Sequence, residues 1–89
     1  MTEVTRLNGM SFGNSYVVSV FVSEGRVDRI DVSGKPNASV LDACRYFARI
    51  HATLHEEAIK AIKNIMIDHL EYRGSNVQCM DESGHQAFG

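Results

Sequence analysis

The stretch SYVVSVFVSEGRVDRIDVSG, residues 15–34, decides how the rest of the chain is read. Residues 16–22 are rich in β-branched and aromatic side chains, which pack well on a pleated surface. At a period of two, Tyr16, Val18, Val20 and Val22 share one face, and Val17, Ser19, Phe21 and Ser23 share the other. A strand apolar on both faces suits a central position in a sheet. Glu24-Gly25 marks a turn. Residues 26–32 then return with Asp28, Ile30 and Val32 on one side and Val27, Arg29 and Asp31 on the other. The expectation is a β-hairpin.

Working outward towards the N-terminus, Val4, Leu7, Met10 and Phe12 are interspersed with Asn8, Gly9, Gly13 and Asn14. This pattern predicts a short strand over residues 3–7 followed by a loop. Gly9 and Gly13 do not read as a phosphate loop, because a strand and not a helix follows them. Towards the C-terminus, Pro36 bars any helix before it. Residues 38–73 then contain neither Gly nor Pro and carry apolar residues at helical spacing. Val40, Leu41, Cys44, Phe47, Ala48 and His51 form one stripe. Leu54, Ala58, Ala61, Ile62, Ile65, Met66, His69 and Tyr72 form a second, broader arc, widened further by Ile59 and Leu70.

A single helix through this region would be long for so small a chain. Thr53 and Glu56 have the spacing of a capping box, and Glu56 and Glu57 suit the first turn of a helix dipole. Two helices are therefore expected, over residues 39–51 and 54–73, with a joint near Ala52 and Gly74 as the C-terminal stop. The predicted fold class is α+β: a β-hairpin, or a three-stranded antiparallel sheet if the N-terminal strand joins it, followed by two helices packed on one face. Residues 1–74 make one domain. Residues 75–89 form a polar tail, with a short edge strand at 77–80.

Composition bounds the function classes. At 89 residues, 44% hydrophobic and 22% charged, the chain has room for one modest core. The net charge of −2 gives no overall drive towards nucleic acid, and no segment approaches the roughly 20 apolar residues of a membrane span. Two cysteines are too few for a disulfide scaffold. The start, Met-Thr-Glu, lacks the basic region of a signal peptide. These readings place the chain in the cytoplasm, without nucleic-acid or membrane partners. The second helix's apolar arc covers about half its circumference, more than the roughly 100° stripe a surface helix needs. It predicts a homo-oligomer formed through Ile59, Ile62, Met66 and Leu70.

Three sets of residues carry chemistry. Arg45 and Arg49 stand one turn apart on the polar side of the first helix, next to Tyr46, with Lys35 at the helix entrance; together they suit a phosphate. The plainer reading is a solvated face with local pairing to Asp42. His51 and His55 have the i, i+4 spacing of helical zinc ligands, and Cys44 and Cys79 complete a set of four. The joint between the helices divides that set, and the plainer reading makes His51 a packing residue and His55 an exposed one. Finally, Cys44 on an apolar stripe reads as a small buried hydrophobe, whereas Cys79 in a polar setting reads as the more reactive thiol.

The hairpin, Gly34-Lys35-Pro36-Asn37, the two helices with LHEEAIKAIKNI at 54–65, and Cys79-Met80-Asp81 together resemble the TSCPD domain, found as small stand-alone proteins and as a C-terminal extension of cobalamin-dependent ribonucleotide reductases. The resemblance spans residues 13–82. It implies a hairpin ending in a Gly-Cys-Pro-Gly-Asn motif, two helices and a tail with Thr-Ser-Cys-Pro-Asp. Here Lys35 stands at the first motif's cysteine and Val77-Gln78 replace Thr-Ser, which removes support for a role needing several cysteines. The resemblance implies a fold more than an activity.

The functional expectation is a non-enzymatic binding or regulatory module that engages a protein partner or a phosphate-bearing small molecule and requires no cofactor. Its alternative is a metal- or thiol-dependent protein with zinc at the Cys/His set.

Overall fold

The computed structural model describes residues 2–50 and 54–80, apart from the side chains of Thr2, Cys79 and Met80. The fold is α+β. Three strands, β1 (Thr2–Ser11), β2 (Asn14–Ser23) and β3 (Arg26–Ser33), precede two helices, α1 (Ala38–Arg49) and α2 (His55–Asp68), and a fourth strand, β4 (Tyr72–Met80). The sheet is antiparallel throughout, in the order β3-β2-β1-β4. The apolar residues of β2 thus occupy an inner strand, as their two-faced pattern requires. One face carries Leu7, Tyr16, Val18, Val20, Val22 and Val27, all buried in one cluster with Val40, Ala43 and Cys44 of α1 and Ala58, Ile62 and Met66 of α2. Among the described residues, neither helix covers the opposite face of the sheet. On it Arg29 lies over the Phe21 ring, 4.1 Å from its centroid, and Arg6 bonds Gln78.

Three local features depart from the sequence expectation. The N-terminal strand continues through Ser11 and turns directly into β2, because Phe12 (φ 52°) and Gly13 (φ 80°) form a two-residue turn. Left-handed dihedrals at both central positions match the twist of the flanking strands. In β3, the register shifts between Phe21 and Val22, so that Arg29 faces Phe21 and Val27 faces Val22. This bulge moves Val27 onto the core face with Ile30 and Val32, whereas strict alternation puts it opposite them. The third departure is the tail. Residues 72–80 form a strand paired with β1 along nearly its whole length, with a second register shift at Asn8 and Gly9.

The two helices are separate, but their ends differ from those expected. α1 stops at Arg49, and residues 51–53, including His51, the Ala52 joint and the Thr53 cap, lie outside the described residues. α2 begins after Leu54, which offers no side-chain cap; the His55 amide donates instead to the Gly25 carbonyl at 3.0 Å. The helix ends at Asp68, well before Gly74. The Leu70 amide donates to Ile67 O (2.9 Å) and the Glu71 amide to Met66 O (2.8 Å), the paired bonds of a Schellman motif. That motif needs a left-handed residue after the cap, and Leu70 fills the position with φ 57° where glycine is usual. Gly74 sits instead in β4, with φ 117°.

Candidate functional site

The outer face of α1 carries the candidate ligand site. Asn37 starts the helix: its side-chain oxygen accepts from the Val40 amide at 2.9 Å, a cap that Ala38 or Ser39 does not provide. From there the helical period brings Asp42, Arg45, Ala48 and Arg49 to one exposed side, where they line an open depression of about 430 Å³. Val40, Ala43 and Cys44 face the core. Ala48, expected on the apolar stripe, is exposed, and Ala43 takes its place inside. Among the described residues, neither the Arg45 nor the Arg49 guanidinium is paired with a carboxylate, although Asp42 stands one turn from Arg45. Each guanidinium is a planar set of donors of the kind that suits carboxylate or phosphate oxygens.

The other two residues expected at this site divide. Tyr46 is half-exposed and stacks edge-on against Phe47, with ring centroids 5.1 Å apart. Lys35 precedes the cap, outside the helix. Arg45 and Arg49 line the depression together, and Lys35 is not among its lining residues.

The Cys/His set fares differently. Cys44 is buried beside Tyr16, and burial pushes its thiol up to about 11, so that it is a protonated thiol at neutral pH. His55 is half-buried, not exposed: its Nε2 hydrogen-bonds Thr5 Oγ1 across 2.9 Å. Tyr16 pairs with Gly9 on β1, four positions from Thr5. That separation, roughly 13 Å along a strand, places Cys44 and His55 towards opposite ends of the sheet. His51 and the Cys79 side chain lie outside the described residues, and among the described residues no three His, Cys, Asp or Glu side chains form a metal-holding group.

The residues expected to form a subunit interface also separate. Ile62 and Met66 are fully buried in the core of this one chain, and Ile59 packs against that core. Only Leu70 is freely exposed. Most of the broad apolar arc of α2 is taken up within this chain by the sheet and α1, while Leu54, His69 and Leu70 of that arc stay exposed.

The helical period sets Glu71 with Glu56, Lys60, Asn64 and Asp68 on the polar side opposite the apolar arc, but the structure buries it in a polar cluster, because α2 ends at Asp68 and the chain turns inward. Glu71, 8% exposed, accepts at one oxygen from Tyr16 Oη (2.7 Å) and Asn37 Nδ2 (2.9 Å). Burial alone would raise its carboxyl; hydrogen bonds from Tyr16 and Asn37, the nearby Ser11 hydroxyl and the charge of His69 outweigh it and hold the group below the usual carboxylate range. The Ser11 oxygen, itself buried, is close by but not in good hydrogen-bonding geometry. Burial, and then the bond to Glu71 and its charge, raise the Tyr16 phenol. Gly9 makes room for this arrangement, since a Cβ there would stand 2.4 Å from the Tyr16 ring. The sequence signal is slight: a single glutamate between Leu70 and Tyr72 of the apolar arc.

These features define a small α+β domain with an arginine-lined depression and a structural carboxylate clip. Compared with family models, curated proteins and solved structures, the chain matches none.

Proposed function

We propose that the protein is a non-catalytic binding module whose α1 outer face takes a phosphate-bearing small molecule. The observation that carries this reading is the pair of unpaired guanidiniums, Arg45 and Arg49, in the depression they share with Asp42 and Ala48. Each arginine offers a planar set of donors suited to phosphate oxygens. Asp42 alongside favours a ligand that also carries a hydroxyl or amine donor, while Ala48 supplies a small apolar floor. A binding role fits better than a thiol-based one because Cys44 is enclosed and protonated, and its reactive thiolate is scarce near neutrality.

The test is an NMR titration of ¹⁵N-labelled protein with pyrophosphate, repeated on Arg45→Ala/Arg49→Ala. Saturable shifts confined to α1, weakened by salt and lost in the double variant, are expected. Equal shifts in both proteins, or none in the wild type, would overturn the reading.

A further inference from the structure

We propose that the end of the molecule bearing Phe12 and Leu70 is a docking surface for an anionic lipid bilayer. Among the described residues, three non-glycine residues have positive φ: Phe12, Glu24 and Leu70. Two of those three are also the most exposed large apolar residues, Phe12 at 96% and Leu70 at 90%. A left-handed backbone disfavours both side chains and favours glycine or asparagine, and neither side chain is used in the core. Each position thus combines a disfavoured backbone with an unburied apolar group. Strained residues of this kind concentrate where a surface engages something else.

The two side chains belong to one place. The Met10 amide donates to the Glu71 carbonyl at 3.0 Å, joining the turn after β1 to the turn after α2. Phe12 is two residues beyond Met10 and Leu70 is one before Glu71, so both turns lie at the same end of the sheet. Both turns have firm backing: the first is a tight hairpin and the second a Schellman motif anchored by the Glu71 clip.

Exposed or half-buried cations belong to the elements that meet at this end. Arg73 is exposed and donates to Met10 Sδ at 3.6 Å; Lys63 lies 5.7 Å from the Tyr72 ring centre; exposed Lys35 is two residues before Asn37, which bonds Glu71. Glu71 is turned inward, leaving Asp68 as the exposed carboxylate of the adjoining helix end. The chain is net negative, whereas the three cations named at this end outnumber its two carboxylates, Asp68 and the inward-turned Glu71.

Charge and area select the occupant. A second copy would bring like-charged ends together. Two side chains offer roughly 300–400 Å² at most, well under the ~800 Å² per partner of a stable protein interface. They are knobs on turns, without the groove that a peptide helix needs. A bilayer accepts isolated apolar knobs into its acyl boundary, and its anionic headgroups attract the flanking lysine and arginine side chains. No helix among the described residues is long and apolar enough to cross a membrane, and docking at the surface requires none.

The test is co-sedimentation with phosphatidylcholine vesicles with and without phosphatidylserine, using wild type, Phe12→Asn, Leu70→Gly and the double variant, with Tm measured for each. Binding of the wild type to phosphatidylserine vesicles, weakened by salt, is expected to fall about tenfold for each substitution. Each substitution should also raise Tm by about 4–8 °C, which separates lost docking from lost folding. No wild-type sedimentation, or binding unchanged in the double variant, would overturn the proposal. Concentration-dependent self-association that the double variant abolishes would overturn it too, by assigning the surface to protein contact.

Discussion

The two ends of the sheet solve the same problem with different chemistry. Each combines a two-residue turn with the start of a helix. The turns are near copies in backbone: Phe12 and Gly13 have φ of 52° and 80°, Glu24 and Gly25 of 53° and 77°. The helix starts differ. At one end, α1 is capped by the Asn37 side chain, which also donates to Glu71, which in turn accepts from Tyr16. At the other end, Leu54 offers α2 no side-chain cap, and the hairpin supplies an acceptor to the His55 amide through the Gly25 carbonyl. A helix N-terminus needs acceptors for its first amides, not any particular residue type. The end built on a buried carboxylate gains charge-assisted bonds but becomes sensitive to pH and to single substitutions. The end built on backbone does not depend on one ionised group.

The largest effect should come from Glu71→Ala. It leaves the Tyr16 hydroxyl and the Asn37 amide without their shared acceptor, both wholly or partly buried. Bonds to a charged group contribute about 1.5–3 kcal/mol each, but the two share one oxygen, so a loss of roughly 3 kcal/mol is expected. Urea denaturation measures it. Glu71→Gln keeps an acceptor and should lose less. If Glu71→Ala shifts the midpoint by no more than a substitution at the other end, the contrast between the ends is not energetic.

Legibility in the sequence follows the same division. The hairpin of β2 and β3 could be read because Glu24-Gly25 is polar and flanked by alternating residues. The turn before β2 has the same backbone, but Phe12 disguises it as part of an apolar segment. The helices could be read from their period, since periodicity reports burial directly. The end of α2 could not, because its left-handed residue is leucine and the first glycine downstream belongs to a strand. β4 was understated because its residues 73–76, Arg-Gly-Ser-Asn, read as turn chemistry, while pairing with β1 overrides that local preference. Of the site residues, Arg45 and Arg49 were visible as a one-turn pair, which a helix keeps together. Lys35 precedes the helix, so no helical period ties it to them, and it does not line their depression. Glu71 was invisible, since its partners stand 34 and 55 positions away.

A pH series sharpens the comparison next. The Glu71 carboxyl lies lower in the folded chain than its ordinary value of 4.5, so folding favours the ionised form. Its contribution is complete above that ordinary value and disappears as pH falls through the lower, folded value. Tyr16 and Cys44 shift the other way. Their folded values are raised from ordinary values of 10.0 and 9.0, so folding favours their neutral forms. Their contributions hold below those ordinary values and are lost at higher pH, for Cys44 between about 9 and 11. Tm plotted against pH should therefore fall at both extremes. Glu71→Gln should flatten the acid limb, and Tyr16→Phe should reduce the alkaline one. An acid limb unchanged in Glu71→Gln would locate the sensitivity elsewhere.

The smallest effect belongs to the backbone-built end. His55→Ala removes the partner of Thr5 Oγ1, a residue 4% exposed, while the His55 amide still reaches Gly25. One side-chain bond contributes about 1 kcal/mol, and alanine's better helix propensity returns about half of that. The single substitution is thus a poor measure, and a double-mutant cycle with Thr5→Val is needed. Coupling of about 1 kcal/mol between the two positions is expected. A cycle that closes without coupling would mean that α2 is fixed to the sheet by the Gly25 carbonyl and core burial alone. That result would widen the difference between the ends, because one adds a buried side-chain cluster to its main-chain bonds and the other would anchor its helix through the main chain and core burial.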